Sequence, residues 1–415
     1  MAFANRTGSV PLARTEGWPA WRRPVALLVL MAAGMPLAFS VWVAVIQNFV
    51  IEVAAFDGAD WGWMQTVREI PGFAAVLVIA LITVMREQTL ALVSLALLGL
   101  AVAVTAYVPT FGGLLITTLI SSIGFHYYET VNQSLQLQWI PRERAPQMLG
   151  WLLAVGSGAS LVAYGVIVMT WKTFNLSYEF VFTSAGCATA LIAALAWRLY
   201  PSFEAPNPQI KRMVLRRRYW LYYALQFMSG ARRQIFVVFA AFMMVERFGF
   251  EVHEVTALFL INFVANMVLA PLFGRAVAVW GERRALMFEY GGLIVVFLAY
   301  GGIYFFGWGV VLAAALYVVD HLFFALALAM KTYFQKIADP GDIAPSAAVA
   351  FTINHIAAVF LPAILGYVWL VSPGAVFAFA AVLAAASLVL AAMIPRHPAP
   401  GNETIFSSGA AVVAE

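Results

Sequence analysis

The sequence predicts an all-α, polytopic membrane protein with 12 transmembrane helices arranged in two six-helix pseudo-repeat bundles. Three observations predict it: an apolar composition, a series of runs long enough to cross a bilayer, and a one-sided distribution of positive charge. Of 415 residues, 63% are hydrophobic and 11% are charged, and the mean hydropathy is +0.87. A soluble domain is about 45–50% apolar and about 25% charged. The single cysteine, Cys187, excludes an intramolecular disulfide and a cysteine-rich metal site. Roughly 20 polar, Arg-bearing residues precede the first apolar run, so that run is expected to be a retained helix rather than a cleaved leader.

Apolar runs of about 20 residues mark spanning helices. They fall at about 24–47, 61–85, 88–107, 112–139, 148–170 and 179–199, and resume at about 219–245, 254–279, 285–305, 309–336, 345–369 and 373–394. The second and fourth are interrupted by charge. With the N-terminus inside, the cytoplasmic segments hold 19 of the 24 Lys and Arg, among them Arg22, Arg23, Arg86, Arg216, Arg217, Arg218, Arg283 and Arg284. The outer loops hold only Lys172 and Arg247, beside acids such as Glu52, Asp57 and Glu246. Positive charge stays on the cytoplasmic side, so both termini are expected there.

The expected organisation is a cytoplasmic segment 1–23, a six-helix bundle 24–199, a basic cytoplasmic linker 200–218, a second bundle 219–395 and a disordered cytoplasmic tail 396–415. The linker's run Arg216-Arg217-Arg218 sets topology and suits anionic headgroups. A weak internal repeat supports the division. The fourth run leaves through Gln138-Trp139-Ile140-Pro141 to Ala145-Pro146, and the tenth through Gln335-Lys336-Ile337 to Ala344-Pro345.

Between runs eight and nine stands Gly274-Arg275-Ala276-Val277-Ala278-Val279-Trp280-Gly281-Glu282-Arg283-Arg284. With the six-plus-six pattern and the basic central linker, this loop resembles the Gly-x6-Gly-Arg-Arg-like motif of the major facilitator superfamily of secondary transporters. The resemblance covers about residues 20–396. Ala278 stands where the family's motif has an acid, and only Arg86-Glu87 remains at the equivalent first-half position. The glycine–proline antiporter signature of helix 5 is missing, so no drug-antiporter subgroup is assigned. The resemblance implies that helices 1, 4, 7 and 10 line a central cavity, that 2, 5, 8 and 11 flank it, and that 3, 6, 9 and 12 face lipid.

Mid-span polar residues fit that plan: Arg68 and Glu69 in helix 2, His126, Glu129, Asn132 and Gln133 in helix 4, and Gln226, Arg232, Arg233 and Gln234 in helix 7. Asn262 and Asn266 follow in helix 8, Asp320 and His321 in helix 10, and Asn354 and His355 in helix 11. Helix 9 carries only Glu289, close enough to the cytoplasmic end to snorkel. A charge at membrane depth costs about 2.5–3.5 kcal/mol on insertion scales and is a functional candidate by default.

Helical spacing sorts these residues into faces. Ser122, His126, Glu129, Gln133 and Gln136 form one stripe, Tyr222, Gln226, Ser229 and Arg233 a second, and Tyr317, Asp320, Phe324, Ala327 and Lys331 a third. Arg233 is therefore expected to bind an anion or carboxylate of a substrate. Gln226, Ser229, His126, Gln133, Asn262, Asn266, Asn354 and His355 are further candidate contacts. The alternative for Arg233 is an ion pair with Asp320 or Glu129, and the amides can equally join helices.

Arg232 lies about 100° around the helix among Leu225, Met228 and Phe236, which favours a packing ion pair or a gate. Arg68, Glu69 and His321 are placed in the same class. Glu129 and Asp320 are the candidates for proton coupling, because burial and a nearby arginine pull a carboxyl pKa in opposite directions. His126 near Glu129 can share the proton.

No zinc spacing and no phosphate-binding Gly-Lys-Ser/Thr loop is present, so no metal, cofactor or ATP-driven pumping is expected. The expected function is a secondary active transporter working by alternating access, proton-coupled, for a small organic anion or zwitterion. Alternatives are efflux of amphipathic compounds, an intramembrane enzyme using His126–Glu129 or Asp320–His321 as acid and base, or an assembly factor. The expected partners are the substrate, protons and the lipid bilayer, without nucleic acid. The expected form is a monomer in a bacterial-type cytoplasmic (inner) membrane.

Overall fold

The computed structural model describes residues 10–140, 145–204, 215–339 and 342–407. Among them are fifteen α-helices: α1 (Pro24–Glu52), α2 (Gly58–Phe73), α3 (Leu77–Val84), α4 (Glu87–Val104), α5 (Phe111–Trp139), α6 (Ala145–Thr170), α7 (Tyr178–Leu199) and α8 (Trp220–Ile235), then α9 (Ala241–Phe248), α10 (Val252–Trp280), α11 (Glu282–Phe306), α12 (Val310–Phe324), α13 (Leu328–Ile337), α14 (Ile343–Val371) and α15 (Pro373–Ala392). No β-strand occurs among the described residues; extended pairing is limited to isolated bridges.

Three pairs of these helices are single rods with an irregular turn inside. A 3-10 turn at Ala74–Val76 joins α2 to α3, a π turn at Phe236–Ala240 joins α8 to α9, and a 3-10 turn at Ala325–Ala327 joins α12 to α13. Ten helical stretches among the described residues are long and apolar enough to cross a membrane. Neither α2–α3 nor α5 is among the ten. In α5, Ser122, His126, Glu129, Asn132 and Gln133 dilute the apolar run.

The chain divides into two compact units, with a boundary between Ile210 and Lys211. The first holds α1, the end of α2, α3 to α7 and Val252–Ala257; the second holds Phe56–Thr66, α8, α9, the rest of α10 and everything after it.

In the first unit α4 packs on α5 and α7, while α1 packs on α6 and α7. Leu27, Met31, Leu95, Tyr128 and Leu135 form its core. Thr189 pins α7 to α1: its hydroxyl donates to the Gly34 carbonyl at 2.8 Å and accepts from the Ala38 N–H at 3.1 Å. The start of the linker is tied to the same unit. Val10 donates to the Ser202 carbonyl at 2.8 Å, and Phe203 N–H donates to the Gln88 side chain at 2.8 Å.

In the second unit α11 packs on α15, and both α14 and α15 pack on α8. Gly281, with φ +78°, ends α10 in the left-handed region that suits glycine and turns the chain into α11. The motif that resembles the family loop is therefore a helix–turn–helix corner. Residues 396–407, expected as part of a disordered tail, instead form ordered turns. The Tyr333 hydroxyl donates to the Glu403 carbonyl at 2.5 Å, and Ile405 donates to the Met393 carbonyl at 2.9 Å. The polar tail is held because it meets buried donors, which composition does not reveal. Residues 1–9, the central part of the linker (205–214) and residues 408–415 lie outside the described residues.

Candidate functional site

The two arginines on α8 have opposite environments. Arg233 is exposed, and its Nη2 donates to Asn354 Oδ1 at 3.1 Å. Asn354, on α14, also donates through Nδ2 to the Gln226 carbonyl at 3.0 Å. Gln226 in turn donates to the Tyr222 hydroxyl at 3.1 Å, and the Tyr222 ring stacks on Phe334 at 4.1 Å. Ser229 lies buried on the same face of α8. His355, one residue beyond Asn354, is buried, with its ring on Phe351 and its Nδ1 bonded to the Phe351 carbonyl. The structure thus brings Arg233, Gln226 and Asn354 into one bonded group.

Arg232 is 0% exposed. Its guanidinium lies 3.8 Å from Glu289 Oε1 and 4.3 Å from the centre of the Tyr290 ring. Glu289 is also 0% exposed, so it does not snorkel: it lies on the packed face of α11, while Phe288 beside it is exposed. Asp320, on α12, is 0% exposed; α12 packs on α11, and the Tyr317 and His321 rings beside Asp320 meet Phe236, one turn beyond Arg232 on α8. Among the described residues neither carboxylate has a hydrogen-bond partner, nor do the three guanidinium nitrogens. Arg232 thus pairs with Glu289. Its carboxylate partner is one that sequence reasoning had assigned to a lipid-facing helix.

His321 was expected in a gate or ion pair, yet no ion pair to it exists among the described residues. Its ring lies against Phe236 and Tyr317, and its Nδ1 has no hydrogen-bond partner among the described residues. Asn262 is buried, and its amide finds no partner among the described residues; Asn266 is half-buried.

In the first unit, Arg68 Nη2 and Glu69 Oε1 pair at 2.7 Å at the end of α2. The Ser122 hydroxyl on α5 donates to the Arg68 carbonyl and lies 3.0 Å from His126 Nδ1. The α5 stripe is graded: Ser122 and His126 are buried, Glu129 and Gln136 half-buried, and Gln133 exposed. A second polar knot lies one turn away from that stripe. Glu87, at the start of α4, accepts from Gln138 at 2.7 Å and from Ser134 at 3.1 Å. Phe39 and Phe125 stack at 4.1 Å, with the Phe125 ring edge-on to His126. Within either unit taken by itself, the described residues bring no three His, Cys, Asp or Glu ligand atoms together as a metal site.

Outside the spans, Arg216 donates from Nη2 to Asp342 Oδ1 at 2.8 Å, and Tyr219 donates to Asp342 Oδ2 at 3.0 Å. The Arg216 hydrogen bond holds the Asp342 carboxyl below its ordinary value. Arg218 pairs with Asp339 at 2.5 Å and approaches Glu403 at 3.9 Å. Lys336, at the end of α13, meets Glu282 at 2.7 Å, directly after the Gly281 corner.

Two features escaped sequence reasoning. The π turn directly after the arginine pair has no local sequence signal. Trp61, which donates its indole N–H to the Val238 carbonyl inside that turn at 2.7 Å, looks like an ordinary apolar residue.

The family model described as Major Facilitator Superfamily matches residues 25–362. No curated protein matches the sequence. Among solved structures, a mutant of the nucleoside transporter NupG superposes with a TM-score of 0.73 at 15% identity, covering 89% of this chain and 100% of that one. A bacterial homolog of the human lysosomal transporter Spinster, inward-facing and occupied, superposes with a TM-score of 0.63 at 14% identity, covering 88% of this chain and 93% of that one.

Proposed function

From the premise that this chain belongs to the Major Facilitator Superfamily, we propose that it is a proton-coupled secondary transporter for a small organic anion or zwitterion, working by alternating access. Membership makes it a membrane transporter rather than an enzyme. It spans the bilayer twelve times, with α2–α3 and α5 completing the ten apolar stretches.

One observation carries the substrate class. Arg233 is an exposed guanidinium in the middle of a helical stretch otherwise apolar enough to span. An unscreened cation at that depth is costly unless water or an anion meets it. Asn354 holds one guanidinium nitrogen, and the planar fork of an arginine suits a carboxylate or phosphate. Gln226, Ser229 and His355 supply neutral polar contacts around it, and Asn262 and Asn266 do so from α10. Glu129 and Asp320 are the proton-coupling acids, with His126 and Gln133 completing the α5 stripe. Arg68 and Glu69 serve as a structural or gating pair.

The test is a thermal-shift screen of the purified protein against metabolite anions, amino acids and hydrophobic cations. Anions or zwitterions should stabilise the wild type and leave Arg233→Ala unmoved. Stabilisation by hydrophobic cations alone would instead favour efflux of amphipathic compounds, the reading that the Phe39–Phe125 stack supports. Flux of the identified ligand into liposomes under a pH gradient then tests the coupling.

A further inference from the structure

Among the described residues of the second unit, three Arg, Lys, Asp or Glu side chains are fully withdrawn from solvent: Arg232, Glu289 and Asp320. Two carboxylates against one guanidinium leave a net charge of −1 when all are ionised. A lone charge in a low-dielectric interior is expensive and is neutralised rather than tolerated. Among the described neighbours none supplies the missing positive charge: Arg233, next on α8, is exposed and donates to Asn354. Tyr290, Tyr300 and Tyr317 are neutral hydroxyls, and His321 turns its ring onto Phe236 and Tyr317.

The other helices packed nearby are no better placed. α15 has no titratable residue. On α14, His355 is bonded to the Phe351 carbonyl, and the Tyr367 hydroxyl accepts from Trp63. On α13, Lys336 is paired with Glu282, Tyr333 donates to Glu403, and Lys331 is exposed. On α9, Glu246 accepts from Trp369 and Arg247 donates to the Ile303 carbonyl.

We infer that Arg232, Glu289 and Asp320 form a one-proton site, in which Glu289 and Asp320 share the single proton that two buried carboxylates and one buried guanidinium require. Binding forms one O–H bond on a carboxylate oxygen, and release returns the proton to water; the guanidinium keeps its own protons throughout. Glu289 thereby joins Asp320 as a carrier residue. The site's role in transport rests on the proton-coupled reading above, whereas its occupancy does not.

Because no member is exposed, exchange requires the packed helices to part. Two of the three carrying helices have an irregular turn close by: the π turn Phe236–Ala240 follows Arg232, and the 3-10 turn Ala325–Ala327 follows Asp320. Such turns mark places where a helix gives.

Infrared difference spectroscopy of the full chain in lipid, titrated with acid and base, reads the protonated carboxyl band directly. A shared proton predicts an unusual pattern. Glu289→Gln alone, or Asp320→Asn alone, removes this band completely, because the remaining carboxylate balances Arg232. Arg232→Gln doubles it. Two independent acids would each remove only a share, so a band that merely halves in either single variant overturns the site. Loss of the wild-type band on adding sodium but not potassium at constant pH also overturns it, because the bound cation would then be a metal. If the band behaves as expected while a pH gradient fails to drive ligand accumulation, the site stands and the coupling reading falls.

Discussion

Gly230 and Asn354 mark a close approach of α8 and α14: a methyl group at position 230 would run into the Asn354 carbonyl. The side chain of the same asparagine bridges two points on α8, accepting from Arg233 and donating to the Gln226 carbonyl. Backbone contact and polar bridge therefore depend on one another. If the helices are forced apart, the geometry that holds the Arg233 fork is lost with them.

Gly230→Ala is accordingly expected to lower the Tm of the purified protein. Overpacking of this kind costs about 1–3 kcal/mol. Gly291→Ala is the control, since a side chain there meets nothing within 4 Å and alanine favours the helix. Equal or smaller destabilisation by Gly230→Ala than by Gly291→Ala would show that the approach is not tight.

Arg232→Ala should destabilise far more than Arg233→Ala. Removing the buried cation leaves two carboxylates without a counter-charge, and breaking a buried pair costs about 3–5 kcal/mol. Arg233 is exposed, so its truncation costs little stability and should show up as lost ligand response. Thermal unfolding of the two variants side by side decides the matter, and the reverse order would exchange their roles.

The separation of these two arginines was legible in the sequence, because the 3.6-residue period alone puts them on different faces. So were ten of the apolar runs and the family-like loop at Gly281. What was not legible depends on tertiary packing. Glu289 sits near the end of an apolar run, and nothing local says whether that end meets lipid or another helix. Asn354 and Gln226 are far apart in sequence, and only the α8–α14 contact makes them partners. The ordered tail follows from the buried Tyr333 hydroxyl reaching the Glu403 carbonyl, a pairing without a pattern.

Outside the spans, Arg216 and Asp342 join the linker's end to the start of α14. The Asp342 carboxyl is held below its ordinary value of 3.8 by that guanidinium. A depressed carboxyl pKa stabilises the fold above the unfolded value, and the contribution is lost as pH falls through the folded one. The latch should therefore hold at neutral and mildly acidic pH and open only below 3.8. Asp342→Asn should open it at neutral pH, seen as faster amide exchange around residues 216–219 and 339–342. Unchanged exchange in Asp342→Asn would mean that Tyr219 and Arg218 hold the corner without it.

Trp61 tests the π turn. The turn widens the helix at Phe236–Ala240, and the Val238 carbonyl within it takes the Trp61 indole N–H at 2.7 Å. The indole also stacks on Phe242 at 5.7 Å. Trp61→Phe preserves an aromatic ring for that stack and deletes only the donor. The Val238 carbonyl then loses a buried partner, at a cost of about 1–3 kcal/mol. Amide exchange in α8 and α9 should quicken around residues 236–243, and the Tm should fall. Because the turn directly follows the arginine pair, Trp61→Phe should also weaken the response to the ligands that Arg233 holds. If exchange quickens while that response is unchanged, the π turn is a structural element independent of binding.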